Sequence, residues 1–178
     1  MNDRKLAQAI FKIAHLEGEF KLRSGMISNE YFDKYRFEAQ PRLLKAIAMA
    51  LRGMIPSDTQ VLAGLEMGGI PIATALALES GLPVVFVRKS AKEYGTRRVA
   101  EGLESLKGCK ICIIEDVITT GGQVVLSAEE LRKEGALVNR VLCVISRQQG
   151  GEDNLRKAGL EMMSLYTQEQ LREAAADS

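Results

Sequence analysis

The stretch Ile111-Cys112-Ile113-Ile114-Glu115-Asp116-Val117-Ile118-Thr119-Thr120-Gly121-Gly122-Gln123 constrains this chain more than any other. Residues 111–114 are an unbroken apolar run, the mark of a short strand buried on both faces. The run ends in two adjacent carboxylates. Two hydroxyls and two glycines follow, and then Val124, Leu126, Ala128 and Leu131, a pattern that predicts a helix to Glu134. Strand, polar turn and helix make half of a βαβ unit, with the turn at the carboxyl end of the strand, where open α/β sheets bind ligands. Glycines let a backbone approach a ligand closely, and amides at a helix N-terminus suit an anion such as phosphate. Two carboxylates do not favour phosphate. They are acceptors for sugar hydroxyls or for a hydrated metal. The turn therefore predicts a site for a phosphorylated sugar.

The rest of the chain fits a parallel sheet. Strands are expected at 61–65, 83–87, 137–145 and 160–165, alternating with helices opened by Pro41 and Pro71 and closed near Gly53 and Gly81. Such alternation predicts an α/β fold, a Rossmann-like parallel sheet flanked by helices. Residues before Pro41 break the pattern. Leu6, Ile10, Ile13 and Ala14 recur at helical spacing, with His15 in the same pattern, and short strands at 20–22 and 31–33 flank a turn. The expected organisation is one domain, residues 1–178. Within it, 1–40 form an N-terminal helix and hood, 41–166 the α/β core, and 167–178 a C-terminal helix capped by Thr167.

Composition narrows the function classes. The chain has 178 residues, 46% of them hydrophobic and 26% charged, which suits a folded globular domain. Its net charge of +1 gives no bulk attraction for nucleic acid or membranes. No apolar run reaches membrane-spanning length, and no signal-peptide core follows Met1, so a cytoplasmic location is expected. Cys109, Cys112 and Cys143 have no framework spacing and are expected as unpaired thiols. A single histidine, His15, gives no material for a zinc site or a His-based triad. The turn lacks the Gly-Lys-Ser/Thr of a Walker loop and the G-x-G-x-x-G of a dinucleotide site.

Four apolar residues, two acidic, two apolar and then Thr-Thr-Gly-Gly resemble the signature of the type I phosphoribosyltransferases. The resemblance implies that fold. It also implies that Val117, Ile118, Thr119, Thr120, Gly121, Gly122 and Gln123 wrap the 5-phosphate of phosphoribosyl pyrophosphate, while Glu115 and Asp116 face the ribose hydroxyls. Gly64-Leu65-Glu66-Met67-Gly68-Gly69-Ile70-Pro71 is similar to the family's pyrophosphate loop, which implies a role for Gly68 and Gly69. Many members carry lysine where Gly68 stands.

Two further segments resemble one branch, the orotate phosphoribosyltransferases. Residues 88–98 hold five basic residues against Glu93 alone. They resemble the branch's catalytic loop, which reaches into a partner subunit. A basic loop closing over pyrophosphate would exclude water and stabilise departing charge. By that match Arg88, Lys89, Lys92 and Tyr94 contact pyrophosphate, with Lys92, Glu115 and Asp116 catalytic, and the chain is a homodimer. Phe20 to Gly25, Tyr31-Phe32-Asp33 and Ser146 to Gly151 resemble the parts that select orotate. A planar pyrimidine carboxylate calls for an aromatic face and a guanidinium fork. Arg147, Arg23, Tyr31, Phe32 and Thr119 are the residues so implied. The implied reaction joins orotate to phosphoribosyl pyrophosphate, giving orotidine 5-phosphate and pyrophosphate, with Mg2+ carried mainly by the substrate and no direct protein ligand. Alternatives are a purine-type transferase and a non-catalytic sensor of phosphoribosyl pyrophosphate. The carboxylate clamp and the retained basic loop argue against them.

Overall fold

Every residue of Val61–Leu65 is buried, as a strand in the middle of a parallel sheet must be. The structure is a computed structural model and describes residues 2–21, 25–89 and 98–176. In chain order the elements are α1 (Asp3–Ala14), β1 (His15–Lys21), β2 (Ile27–Phe32), α2 (Tyr35–Glu38), α3 (Pro41–Arg52), β3 (Val61–Leu65), α4 (Gly69–Ser80), β4 (Val84–Val87), β5 (Ala100–Glu101), β6 (Lys110–Ile118), α5 (Gly122–Lys133), β7 (Leu137–Ser146), α6 (Gly151–Lys157), β8 (Glu161–Thr167) and α7 (Gln168–Ala176).

Six strands form one sheet in the order β5-β4-β3-β6-β7-β8. All neighbours are parallel except β5, which runs antiparallel to β4. Alternate residues feed two cores. Leu62, Cys112, Ile114 and Leu142 point into a layer with Ile10, Ile47, Ile72 and Leu171 from α1, α3, α4 and α7. Ala63, Ile113, Val141 and Cys143 point into a layer with Val124, Leu131 and Leu155 from α5 and α6. The helix after β3 thus packs on one face and the helix after β6 on the other. These two strands are neighbours, so their carboxyl ends flank the crevice where strand order reverses. Burial pushes the Cys112 thiol up to about 12 and Cys143 also upward; both are inert packing groups.

Expectation and structure differ at three places. His15 is not in the helix: α1 ends at Ala14, His15 caps it through its amide on Phe11 O, and β1 begins there. β1 and β2 form an antiparallel pair longer than the strands expected at 20–22 and 31–33, because their mixed exposure gives no clean alternation. The helices α2 and α6 were not foreseen. Only Phe37 and Glu38 are buried in the first, and only Gly151 and Leu155 in the second, too few to show a period. The Thr167 cap is present. Its Oγ1 accepts the Gln170 amide at 3.1 Å, and Gln170 Oε1 accepts the Thr167 amide at 2.8 Å.

Candidate active site

The turn after β6 is built around Gly121. Its φ of +74° lies in the left-handed region, and a Cβ there would stand 3.1 Å from Leu155 Cγ. Gly121 is the N-cap of α5 and no side chain caps that helix, so the two threonines are not spent on capping. The amides of its first turn lack intrahelical acceptors and form a ready anion site. Asn154 Nδ2 donates to Thr120 O at 3.0 Å and the Arg147 amide donates to Ile118 O at 2.9 Å, which fixes both sides of the turn.

A cavity of about 310 Å³ opens over this turn. Its wall includes Glu115, Val117, Ile118, Thr119, Thr120, Gly121, Gly122, Gln123 and Lys89, all expected from the sequence. It also includes Lys34, Tyr35, Glu66 and Met67, which were not. Glu66 follows β3 and Lys89 follows β4; the Lys89 amide donates to Glu66 Oε2 at 3.0 Å, tying the two loops together. The Glu66–Met67 peptide bond is cis.

Gly68 and Gly69 are placed differently from a phosphate-facing pair. Both are buried and turned against β6. A Cβ on Gly69 would lie 2.3 Å from Ile114 O, and one on Gly68 would lie 1.6 Å from Asp116 Oδ2. Packing therefore accounts for both glycines, and Glu66 and Met67 are what this loop shows to the cavity. Asp116 is likewise not on the cavity wall. It is fully buried, with its carboxylate turned inward beneath the turn.

Three ionisable groups meet around that carboxylate. Lys34 Nζ lies 2.7 Å from Asp116 Oδ2, Glu115 Oε1 accepts the Asp116 amide at 2.9 Å, and Asp116 Oδ1 accepts the Val117 amide. Glu38, at the end of α2, completes the group. Burial alone would raise Asp116, but hydrogen bonds with Glu115 and Lys34 outweigh it and hold the carboxyl below its usual range. Burial would also weaken the Lys34 charge, and contact with Asp116 instead holds the ammonium above the usual lysine value. Burial, reinforced by Asp116, pushes Glu115 well above the carboxylate range and Glu38 up to about 9. The tyrosine-led run at Tyr31 held the missing signal: Lys34 follows Asp33 directly, a charge pair beside two aromatics.

A second cavity, of about 580 Å³, holds Tyr31, Phe32 and Arg147 in its wall with Phe11, His15, Glu30 and Arg172. The Phe20 and Tyr31 rings lie 5.5 Å apart. His15 stacks on Phe11 at 4.6 Å and pairs with Glu30 at 2.8 Å. The structure thus brings three of the expected base-selecting residues together, with Thr119 in the first cavity across the Ile118–Arg147 link. Arg88 is exposed, and its amide donates to Val99 O at 2.9 Å. Arg23, Lys92 and Tyr94 lie outside the described residues. Among the described residues, no three His, Cys, Asp or Glu are grouped to hold a metal ion, and no helix is long and apolar enough to cross a membrane.

Known proteins share this fold. The phosphoribosyl transferase domain family matches residues 35–161. An orotate phosphoribosyltransferase from Nocardioides is 47% identical over 177 residues, covering 98% of each chain. One from Halobacterium salinarum is 45% identical over 157 residues, covering 88% of this chain and 89% of the relative. Among solved structures, orotate phosphoribosyltransferase from Mycobacterium tuberculosis, in complex with Fe(III) dicitrate, superposes with a TM-score of 0.86 at 30% identity, over 96% of this chain and 99% of that one. The Aeropyrum pernix enzyme gives 0.84 at 30% identity, over 97% and 99%. The chain belongs to the phosphoribosyltransferase family, in its orotate phosphoribosyltransferase branch.

Proposed function

We infer that this chain transfers ribose 5-phosphate from phosphoribosyl pyrophosphate to orotate, giving orotidine 5-phosphate and pyrophosphate, a step of pyrimidine nucleotide synthesis. The observation that carries the reading is the adjacency of two cavities across one backbone link. An uncapped helix N-terminus with a carboxylate faces one, and a guanidinium with two aromatic side chains faces the other. The relatives' name supplies the base, and a Mycobacterium tuberculosis relative at 26% identity and a TM-score of 0.81 was crystallised with phosphoribosyl pyrophosphate.

In this reading the 5-phosphate sits on the amides and hydroxyls of residues 119–123. Glu115, on the cavity wall, accepts from ribose hydroxyls. A ring nitrogen of orotate attacks ribose C1 as the bond to pyrophosphate breaks, so positive charge develops on the ribose, as it does in glycoside cleavage. Asp116 contributes negative charge from beneath the turn rather than by contact. Arg88, Lys89 and Lys92 stabilise the leaving pyrophosphate, and Tyr94 can donate a hydrogen bond to it. Arg147 and Arg23 clamp the orotate carboxylate, with Tyr31, Phe32 and Thr119 orienting the ring. No protein nucleophile is needed; positioning and electrostatics supply the rate.

Magnesium belongs to the same proposal. The cavity's oxygens are spread over separate turns, a set that suits a hydrated cation brought by the substrate rather than a caged one. Bound to pyrophosphate oxygens, the ion would neutralise charge on the leaving group.

A homodimer in the cytoplasm completes the proposal, with the 88–98 segment reaching the other subunit's site beyond Lys89, which lines its own subunit's cavity. Large exposed apolar side chains on adjacent helices, Met49 on α3 and Leu78 on α4, support contact with a second copy. If Lys92→Ala and Asp116→Asn each silence a site, random exchange of an equal mixture restores roughly a quarter of wild-type sites by two-fold pairing. No recovery after proven exchange would contradict sharing. The reaction itself is tested by the loss of orotate absorbance when the protein meets phosphoribosyl pyrophosphate and magnesium; an unchanged spectrum would contradict it.

A further inference from the structure

Glu38 has no task in the chemistry above, yet its side chain is buried, with 7% of the residue exposed. Among the described residues, the buried side-chain oxygens with no aligned hydrogen-bond donor are Glu38 Oε1 and Asp116 Oδ2. They converge on one spot. The position a Gly68 Cβ would occupy is 1.6 Å from Asp116 Oδ2 and 3.0 Å from Glu38 Oε1. The Lys34 ammonium approaches Asp116 Oδ2 at 2.7 Å as an ion pair.

Ionised carboxylates only accept hydrogen bonds, and two that abut in a buried place cannot both keep their charge. One proton between these oxygens satisfies both. The surroundings decide which residue carries it. Asp116 has the Lys34 ammonium and the Val117 amide to stabilise its charge. Glu38 faces Asp116 from β6, and Asp33 and Lys34 from its own segment. The packed helices α1 and α3 add apolar side chains to the core cluster that holds Phe37. Gly68, at the start of α4, brings no side chain at all.

We propose that Glu38 is a positioning residue of the active site: in its neutral form it donates a hydrogen bond to Asp116 Oδ2 and, with Lys34 paired to the same oxygen, holds that carboxylate inward against Gly68. The upward displacement of Glu38 and the downward displacement of Asp116 agree with this placement of the proton. Lys34 is then kept at the cavity wall as the counter-charge of a single anion. Loss of the Glu38 proton puts a second anion beside Asp116, draws Lys34 inward and disturbs the wall that receives the phosphoribosyl group. The catalytic consequence rests on the function proposed above; the shared proton does not.

The test compares Glu38→Gln, which keeps a donor of the same shape, with Glu38→Ala, which has none. Infrared difference spectra of the full-length protein, wild type minus Glu38→Gln at neutral pH, read the proton directly and need no activity. A protonated-carboxyl band that disappears in Glu38→Gln is expected. In transfer assays, kcat/KM for phosphoribosyl pyrophosphate in the wild type should fall above about pH 9. Glu38→Ala should lose about tenfold or more at neutral pH, the scale of one hydrogen bond to a charged group. Glu38→Gln should recover most of that loss and lack the alkaline fall. Absence of the infrared band overturns the proposal. So does a folded Glu38→Gln, checked by circular dichroism, that is as impaired as Glu38→Ala. A wild type with no transfer activity would overturn the functional reading and leave the infrared result to decide the shared proton alone.

Discussion

Gly68 and Asp116 occupy each other's space: the carboxylate of Asp116 fills the place where a Gly68 side chain would begin, 1.6 Å from the position of a Cβ. The need for glycine here is a matter of room, since the Gly68 φ of −70° is open to any residue. Gly68→Ala must displace Asp116, the loop after β3, or both. Overpacking of this kind costs about 1–3 kcal/mol. Urea unfolding should show that loss, and transfer activity should fall with it. An alanine variant of wild-type stability and turnover would mean that the carboxylate has another place to rest.

Glu38 makes stability depend on pH in a defined direction. Its carboxyl titrates near 4.5 in the unfolded chain and at about 9 in the native one. Between those values the native state holds a proton that the unfolded state has released. Unfolding free energy therefore falls as pH rises through the window. Below the lower value the effect is absent, and above the upper one it is complete. Glu115, also raised, acts in the same sense, whereas the lowered Asp116 acts only below its ordinary value of 3.8. Thermal midpoints from pH 5 to 9 should decline less in Glu38→Gln than in the wild type. Parallel curves would show that Glu38 is ionised in the native protein at neutral pH.

Arg147 connects the β6 turn to the second cavity, with its amide on Ile118 O and its side chain in the cavity wall. Arg147→Ala should weaken orotate binding by about 1.5–3 kcal/mol, the worth of hydrogen bonds to a charged group. Affinity for phosphoribosyl pyrophosphate should change little, because its proposed contacts lie elsewhere. Separate calorimetric titrations of the two ligands decide this, and equal losses for both would remove Arg147 from the role of base clamp.

The sheet and the β6 turn were legible in the sequence because their signals are local. An apolar run, two acids and two glycines stand side by side in Ile111 to Gly122, and the strand and helix follow from them. The direction of Asp116 was not legible. It turns inward because Gly68 leaves room and because Lys34 and Glu38 meet it there, residues from two segments that both lie far from β6 in the chain. A motif read along β6 alone points both carboxylates at the ligand. Glu38 was invisible for a related reason: a glutamate at the end of a four-residue helix carries no mark of burial until α1 and α3 pack around it. His15 was read into the helix because Phe11, its stacking partner, is one turn away in either description.

In the proposed reaction, the turn after β6 and the cavity at Arg147 form one site that places a phosphoribosyl group beside orotate. Its most direct test is pyrophosphate release from phosphoribosyl pyrophosphate and magnesium with orotate, uracil, adenine and hypoxanthine offered in turn. Turnover is expected with orotate, with kcat/KM greater by on the order of a hundredfold or more than for the other bases, since a site that sets the half-buried Arg147 against the base disfavours bases that lack the carboxylate. Equal or faster turnover with adenine or hypoxanthine, or none with orotate, would contradict it.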